Sequence, residues 1–408
     1  MKRRLLLIII LFVFMPFVST GCWDRVEIEE LLIVVGLAID CSENINSIII
    51  TQHYVIPEGV EGGGKVSTMQ KLPYANVSAE GTNVVEIFEK FKNIKGRRPN
   101  YEHLKVIIIS DKVARSFNLY KLLDAILRHH EIPRNTNILI SEGKARLFFE
   151  IAPNLEDIPA FNIMMLSSNA KYKPGMPPTQ RLGDISEKMA GSKSFTIQRI
   201  AMRNGIQSPH DIIVTETTPG KGDVFEVRGA AVIKGDTYML AGWLNEKETD
   251  GLNRILGKVE SGIVKIEDKD TGQTIVYEIH NVNTKIRPKV SGNNISFTVE
   301  SKIEGTIAED WVMTSNAFED GFIEKVELAA EKEVKGIMEK TINKIQKELK
   351  ADVAGFGRQL HIKYPAVWEE VKDNWEKIFT DLPIDIKVKT YVRDFGRQNS
   401  KVNNNCVD

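Results

Sequence analysis

The Gly-rich segment Gly59–Val66 comes nearest to a catalytic or nucleotide-binding motif in this sequence. In a P-loop, backbone amides surround the phosphates, and a Ser or Thr directly after the lysine supplies the hydroxyl that binds Mg²⁺. Here Val66 follows Lys65 and has no hydroxyl, and Pro73 lies close behind, where the motif needs a helix. We interpret the segment as an exposed loop and not as a nucleotide site.

The other residues that could do chemistry are scattered or have a simpler explanation. His129 and His130 are adjacent, so on a helix they point about 100° apart and make no pair of metal ligands. Cys41 ends a predicted strand and is interpreted as a packing residue. Three carboxylates fall in the first turn of a predicted helix, where the helix dipole favours them: Glu246, Glu248 and Asp250. The sequence predicts no catalytic residue, no metal site and no cofactor.

The N-terminus carries the pattern of a lipoprotein signal. A basic start at residues 2–4 precedes the apolar run Leu5–Val18, which is shorter than the ~20 residues that a membrane-spanning helix needs. Small residues follow up to Gly21, and Cys22 comes next. We predict cleavage between Gly21 and Cys22 and a diacylglyceryl thioether on Cys22; an added N-acyl chain such as palmitate is left open.

A plain secretory signal, with Cys22 as a bystander, is the alternative interpretation, because Ser19 stands where lipoprotein signals usually have Leu. Under the lipoprotein interpretation the bilayer is a partner through acylated Cys22, since two acyl chains are enough for stable anchoring. The net charge of −1 over 408 residues argues against nucleic acid as a partner.

The order of predicted elements indicates an α+β fold class: a multi-domain chain with mixed β-sheets flanked by helices and a long amphipathic helix near the C-terminus. In an alternative division, residues 170–202 form a separate subdomain. The predicted divisions are a signal peptide that is removed (1–21), an N-terminal α/β domain (22–202), a linker (203–222), a C-terminal α+β domain (223–395) and a flexible tail (396–408).

In the N-terminal part, β-branched runs and 3/4 apolar spacing predict alternating strands and helices. The predicted strands are Leu31–Asp40, Ile45–Pro57, Leu104–Ser110, Asn137–Ser141 and 195–202. The predicted helices are 82–95, Leu119–His130, Lys144–Ala152 and Leu182–Met189.

The C-terminal part is predicted to begin with a hairpin around Lys234-Gly235-Asp236, followed by a helix that Asn245 and Glu248 cap. Three β segments, a helix over about 318–350, a helix after Pro365 and an alternating strand at Ile384–Arg393 complete it. Trp368 and Trp375 share one face of the helix after Pro365. We expect that face to pack in the core, with a partner-binding face as the alternative.

Three motif groups, in order along the chain, resemble the Ger(x)C spore germination proteins. The first is Cys22-Trp23-Asp24-Arg25 with the strand end Gly36–Asp40, and the second is Gly229-Ala-Ala-Val232 with Gly242–Thr249. The third runs from Lys350 to Gly357 and continues through His361, Lys363-Tyr364-Pro365, Trp368 and Leu382-Pro383-Ile384. The resemblance covers essentially the whole chain after the signal, and residues 171–222 match poorly.

The resemblance implies a non-catalytic, lipid-anchored subunit of a nutrient germinant receptor of the GerA type, needed for spore germination in response to nutrients. It implies a place on the outer face of the inner spore membrane, with the A and B membrane subunits as partners. An alternative function is an extracytoplasmic lipoprotein that holds a small nutrient directly. A large cleft with convergent polar groups at the domain boundary would favour that alternative.

Overall fold

The computed structural model describes residues 3–4, 27, 30–56, 72–92, 96–151, 156–203, 224–259, 261–268, 271–292, 294–312 and 321–394. Gly21 and Cys22, the segment Gly59–Val66, the predicted tail 396–408 and all but the first residue of the predicted linker 203–222 lie outside these residues.

A large mixed sheet forms the first part of the described chain. Its nine strands run in the order β3-β2-β1-β5-β6-β7-β8-β9, with β4 also paired to β1. The strands are β1 (Leu31–Cys41), β2 (Ile48–Val55), β3 (Tyr74–Gly81), β4 (Arg98–Asn100), β5 (Val106–Ser110), β6 (Asn137–Ser141), β7 (Phe195–Arg203), β8 (Val224–Ile233) and β9 (Leu240–Leu244). The central strands β1, β5, β6 and β7 are parallel to one another.

Helices cover both faces of this sheet, which explains why β5 and β6 are buried at every position. The helices are α1 (Val84–Lys92), α2 (Asp111–Ser116), α3 (Leu119–Leu127), α4 (Pro159–Ser168) and α5 (Leu182–Ala190), with 3₁₀ turns at Ala145–Phe149 and Asn169–Tyr172. α1, α3 and α5 contribute to the core on one face, and α4 with the first 3₁₀ turn contributes to the core on the other.

The second part begins with α6 (Glu246–Ile255), which connects the large sheet to a four-stranded sheet of order β10-β11-β12-β13. The strands of this sheet are β10 (Gly262–Glu267), β11 (Thr274–Ser291), β12 (Asn294–Asp310) and β13 (Ile384–Asp394). The helices are α7 (Phe322–Asn343), α8 (Phe356–Lys363), α9 (Pro365–Val371) and α10 (Trp375–Phe379), with a π turn at Lys344–Glu348 and a 3₁₀ turn at Lys372–Asn374.

The long helix α7 buries a stripe at four-residue spacing, namely Val326, Ala330, Val334 and Met338, in the core of the second part. Mixed sheets and flanking helices confirm the predicted α+β class. The predicted helix over 318–350 is shorter in the structure, because α7 ends at Asn343 and continues as a π turn. The predicted single helix after Pro365 is interrupted by the 3₁₀ turn at Lys372–Asn374.

Two sequence interpretations need correction. The predicted helix over 144–152 is a 3₁₀ turn, whose first amides, on Ala145 and Arg146, donate to the buried carboxylate of Asp40 at 2.7 and 2.9 Å. The optional subdomain at 170–202 is not separate, because its strand β7 hydrogen-bonds to both β6 and β8 inside the large sheet. That sheet continues to Leu244, beyond the predicted linker.

Candidate functional site

A cleft of about 1760 Å³ lies where the large sheet meets the second part of the chain. We call it the interdomain cleft. One wall comes from the end of α5, the start of β7 and the turn between β8 and β9. The opposite wall comes from α8, the segment before it, and the α9–α10 region. The cleft is therefore built by segments far apart in sequence.

A buried carboxylate, that of Asp352, organises the second wall. It accepts backbone hydrogen bonds from Gly355 at 2.8 Å, Phe356 at 3.0 Å and Gly357 at 2.7 Å. The indole Nε1–H of Trp375 donates to it at 2.9 Å. Burial raises the pKa of Asp352, while these four hydrogen bonds oppose the increase. Asp352 thus caps α8 and fixes Trp375.

Two glycines of the same segment are required by geometry. Gly355 has φ of +78°, a left-handed conformation that side chains disfavour. At Gly357, a Cβ atom would lie 2.7 Å from the indole nitrogen of Trp375 and 2.9 Å from the ring of Trp368. The third motif group therefore encodes a tight carboxylate-centred turn packed against two tryptophans.

Glu376 joins this turn to the opposite wall. One of its carboxylate oxygens accepts from the Asp352 amide at 2.8 Å, and the other accepts from the hydroxyl of Ser194. The Ser194 oxygen in turn accepts from the Gly235 amide at 3.0 Å. Burial raises the pKa of Glu376, and the nearby charges of Asp352 and Asp236 add to the increase. The two walls are thus joined by a hydrogen-bonded chain.

Lys188 lies on the first wall and has a different environment. Its ammonium donates to the Gln180 side chain and lies 5.8 Å from the centre of the Phe195 ring. Burial lowers the pKa of Lys188 to about 8, and the positive charge of Lys258 contributes to the decrease, while Asp184 opposes it. Among the described residues, no carboxylate lies within ion-pair distance of Lys188.

Two carboxylates of the cleft, those of Asp352 and Glu376, take part in the hydrogen bonding of the fold. Each oxygen of Asp352 accepts two hydrogen bonds, and each oxygen of Glu376 accepts one, so both groups are occupied by the fold. In the part of the chain that the structure describes, no three His, Cys, Asp or Glu side chains are grouped as metal ligands. The same residues include no helix that is long and apolar enough to cross a membrane.

The candidates from the sequence lie elsewhere. His129 packs edge-on against Tyr101, with 4.9 Å between ring centres, and stacks on His130. Cys41 is partly buried at the end of β1, and burial raises the pKa of its thiol. Glu248 forms the predicted capping box with Asn245.

Glu246 stays in the first turn of α6, as predicted, and Asp250 forms an ion pair with Arg254 at 2.9 Å. Neither lines the cleft. The expected core packing is confirmed for Trp375, which is 6% exposed. Trp368 is only partly buried and stacks on His361, 5.8 Å between ring centres.

Sequence reasoning missed Lys188, Ser194 and Glu376 as parts of one site. Ser194 and Glu376 are 182 residues apart, and no local pattern relates them. The usual N-cap signal does not identify Asp352, because the N-cap residue of α8 is Gly355 and Asp352 lies three positions before it. Lys188 stands in an ordinary amphipathic helix, so its burial depends on the tertiary fold.

Comparisons with known proteins match almost the whole chain. Residues 24–202 match the family described as spore germination protein N-terminal domain, and residues 228–396 match spore germination B3/GerAC like, C-terminal. Among relatives from Bacillus subtilis (strain 168), spore germination protein YndF is 32% identical, with 97% of this chain and 98% of the relative covered.

Spore germination protein B3 is 27% identical, with 94% and 96% covered, and spore germination protein KC is 26% identical, with 99% of each covered. The crystal structure of the GerBC protein has the same fold, with a TM-score of 0.57, 22% identity, and 88% of this chain and 97% of that chain covered. The resemblance seen in the sequence is confirmed, and the chain belongs to the Ger(x)C family of spore germination proteins.

Proposed function

We propose that this chain is a lipid-anchored, non-catalytic subunit of a nutrient germinant receptor, needed for spores to germinate in response to nutrients. The observation that carries the proposal is the match to named germination proteins over nearly the full length of both chains. A match that covers both parts and the cleft between them supports a shared role for the whole molecule.

The structural roles of three carboxylates support the non-catalytic part of the proposal. Asp352 and Glu376, the acidic groups at the centre of the cleft, hold a turn and connect two walls. Glu248 caps a helix. Carboxylates that accept structural hydrogen bonds are less available as proton donors or acceptors for a substrate.

The proposed location is the outer face of the inner spore membrane, with the A and B membrane subunits of the receptor as partners. Support comes from the apolar run Leu5–Val18 and from Cys22 directly after Gly21. Acyl chains on Cys22 would hold the folded body at the bilayer surface, since each buried CH₂ group contributes about 0.8 kcal/mol.

The Cys22→Ala variant tests this proposal. In cells that lack the A and B subunits, we expect the variant to leave the membrane fraction while the unchanged chain stays in it. The matched control is Cys41→Ala, which removes a thiol from the folded body and should leave the distribution unchanged. Spores carrying Cys22→Ala should germinate slowly with nutrients. Full retention of the variant in membranes, without the other subunits, would contradict lipid anchoring.

The interdomain cleft favours a second candidate function, direct binding of a small molecule. Its volume of about 1760 Å³ exceeds the size of ordinary ligand sites, and polar groups from both walls converge in it. Apolar side chains, among them Phe195, Ile255 and Trp368, line it as well. Binding by this chain and membership of a receptor are compatible.

A further inference from the structure

The interdomain cleft is more basic than the chain as a whole. Nine Lys and Arg side chains line it against four carboxylates, whereas the full chain has a net charge of −1. Two of those carboxylates, Asp352 and Glu376, are occupied by the hydrogen bonds described above. Clefts lined by one sign of charge concentrate ligands of the opposite sign.

In the described part of the chain, most of these cations have no partner of opposite charge. Arg287 pairs with Glu300 at 2.7 Å and Lys372 pairs with Glu369, two carboxylates that do not line the cleft. Among the described residues, the other seven have no carboxylate within ion-pair distance. Lys188 is the deepest of them, and the charge of Lys258 is close enough to act on it.

At Lys258 the cleft adjoins a smaller pocket of about 440 Å³, whereas Lys188 lines the cleft alone. Pro178 and Lys258 line both spaces, and Thr179 and Asn253 line the pocket. Asn253 is 3% exposed, and its amide donates to the carbonyls of Pro174 and Met176 at 2.8 and 2.7 Å. Its Oδ1 atom has no donor among the described residues.

A half-buried ammonium without a counter-charge, such as that of Lys188, costs free energy, because it loses part of its water shell without gaining an ion pair. An anion between the two lysines would remove their mutual repulsion and restore that lost solvation. The volume of the pocket is that of a small organic ligand.

We propose that the corner formed by Lys188, Lys258 and Asn253 binds a small organic molecule through an oxyanion group, a carboxylate or a phosphate. The oxyanion lies between the two lysines, and the rest of the molecule extends into the pocket beside Thr179. This inference deepens the second candidate function and depends on it. It does not depend on lipid anchoring or on the other subunits.

Thermal unfolding of the full chain in detergent tests the proposal, with succinate and inorganic phosphate as probes at constant ionic strength. Ligands that bind the folded state raise the unfolding midpoint. We expect at least one probe to raise it in a saturable way, and succinamide, which has succinate's shape without its charge, to leave it unchanged. Response to succinate alone identifies a carboxylate site, and response to phosphate alone identifies a phosphate site.

The variants Lys188→Met and Lys258→Met should each weaken the response by about tenfold or more, since each removes a charge-assisted hydrogen bond. Lys121→Met, which removes an exposed lysine of α3, is the matched control and should respond normally. The unliganded midpoint of Lys188→Met should equal or exceed that of the unchanged chain, which shows that the variant folds.

Two results would overturn the proposal. One is that neither probe raises the midpoint. The other is that both cleft variants respond like Lys121→Met. This result would mean that the bound probe is an adventitious ion only. In either case a germination defect in Cys22→Ala spores would still support the receptor proposal, so the two failures are distinguishable.

Discussion

The two walls of the interdomain cleft differ in the hydrogen-bond partners that they give to a charged side chain. On the second wall, the Asp352 carboxylate accepts four hydrogen bonds, three from backbone amides and one from Trp375. On the first wall, the Lys188 ammonium has a neutral amide as its partner and a second lysine nearby. The first arrangement stabilises the fold, whereas the second costs stability, a cost that our proposal attributes to ligand binding.

This difference separates two meanings of a shifted pKa. Burial is the main cause for Asp352 and for Lys188 alike. The surroundings decide the interpretation, because a saturated group has no bonding capacity left for a ligand. Judged by the pKa shift alone, both Asp352 and Lys188 would be interpreted as functional residues.

The largest expected loss of stability comes from a substitution on the second wall. The Trp375→Ala variant removes a side chain that is 6% exposed and contacts Gly357 and Asp352. We expect a loss of about 3–5 kcal/mol in the free energy of unfolding, as a large cavity forms. The matched control is Trp311→Ala, since Trp311 is 65% exposed. Chemical denaturation measures both, and an unchanged Trp375→Ala midpoint would identify this face as an interface.

Replacement of the carboxylate itself should have a somewhat smaller effect. Asp352→Ala leaves the amides of Gly355 and Gly357 and the indole of Trp375 without their acceptor. We expect a loss of about 3 kcal/mol, because buried donors without partners each carry a desolvation penalty. Asp373→Ala, which removes an exposed carboxylate of the same cleft, should change stability by less than about 0.5 kcal/mol. Equal stability of the two variants would contradict a structural role for Asp352.

The sequence reveals periodic features of the fold better than it reveals the site. The apolar stripe of α7 and the alternation in β13 predict those elements, because each repeats with its own period. α4 was missed because its apolar residues surround the helix, and β3 because this edge strand has few β-branched residues. The contact between Ser194 and Glu376 depends on how α10 packs against the start of β7, which no local pattern encodes.

The pH dependence of stability provides a subtler test of the first wall. The pKa of Lys188 is lowered from 10.5 to about 8 in the folded chain, so the unfolded chain binds more protons between these values. The free energy of unfolding should therefore rise with pH from about 8 to 10.5, relative to the Lys188→Met variant. Urea denaturation of both proteins at pH 7, 8 and 9.5 measures this difference. A constant difference over that range would mean that Lys188 is not buried as described.

The central claim is that the first wall of the cleft serves binding while the second serves the fold. The most direct measurement is the rate at which spores carrying Lys188→Met germinate with nutrients, followed by the fall in optical density. Lys121→Met spores are the control, and equal amounts of each chain are verified by immunoblotting. The account predicts a folded Lys188→Met chain at normal levels and clearly slower germination. Normal germination by Lys188→Met spores would contradict it.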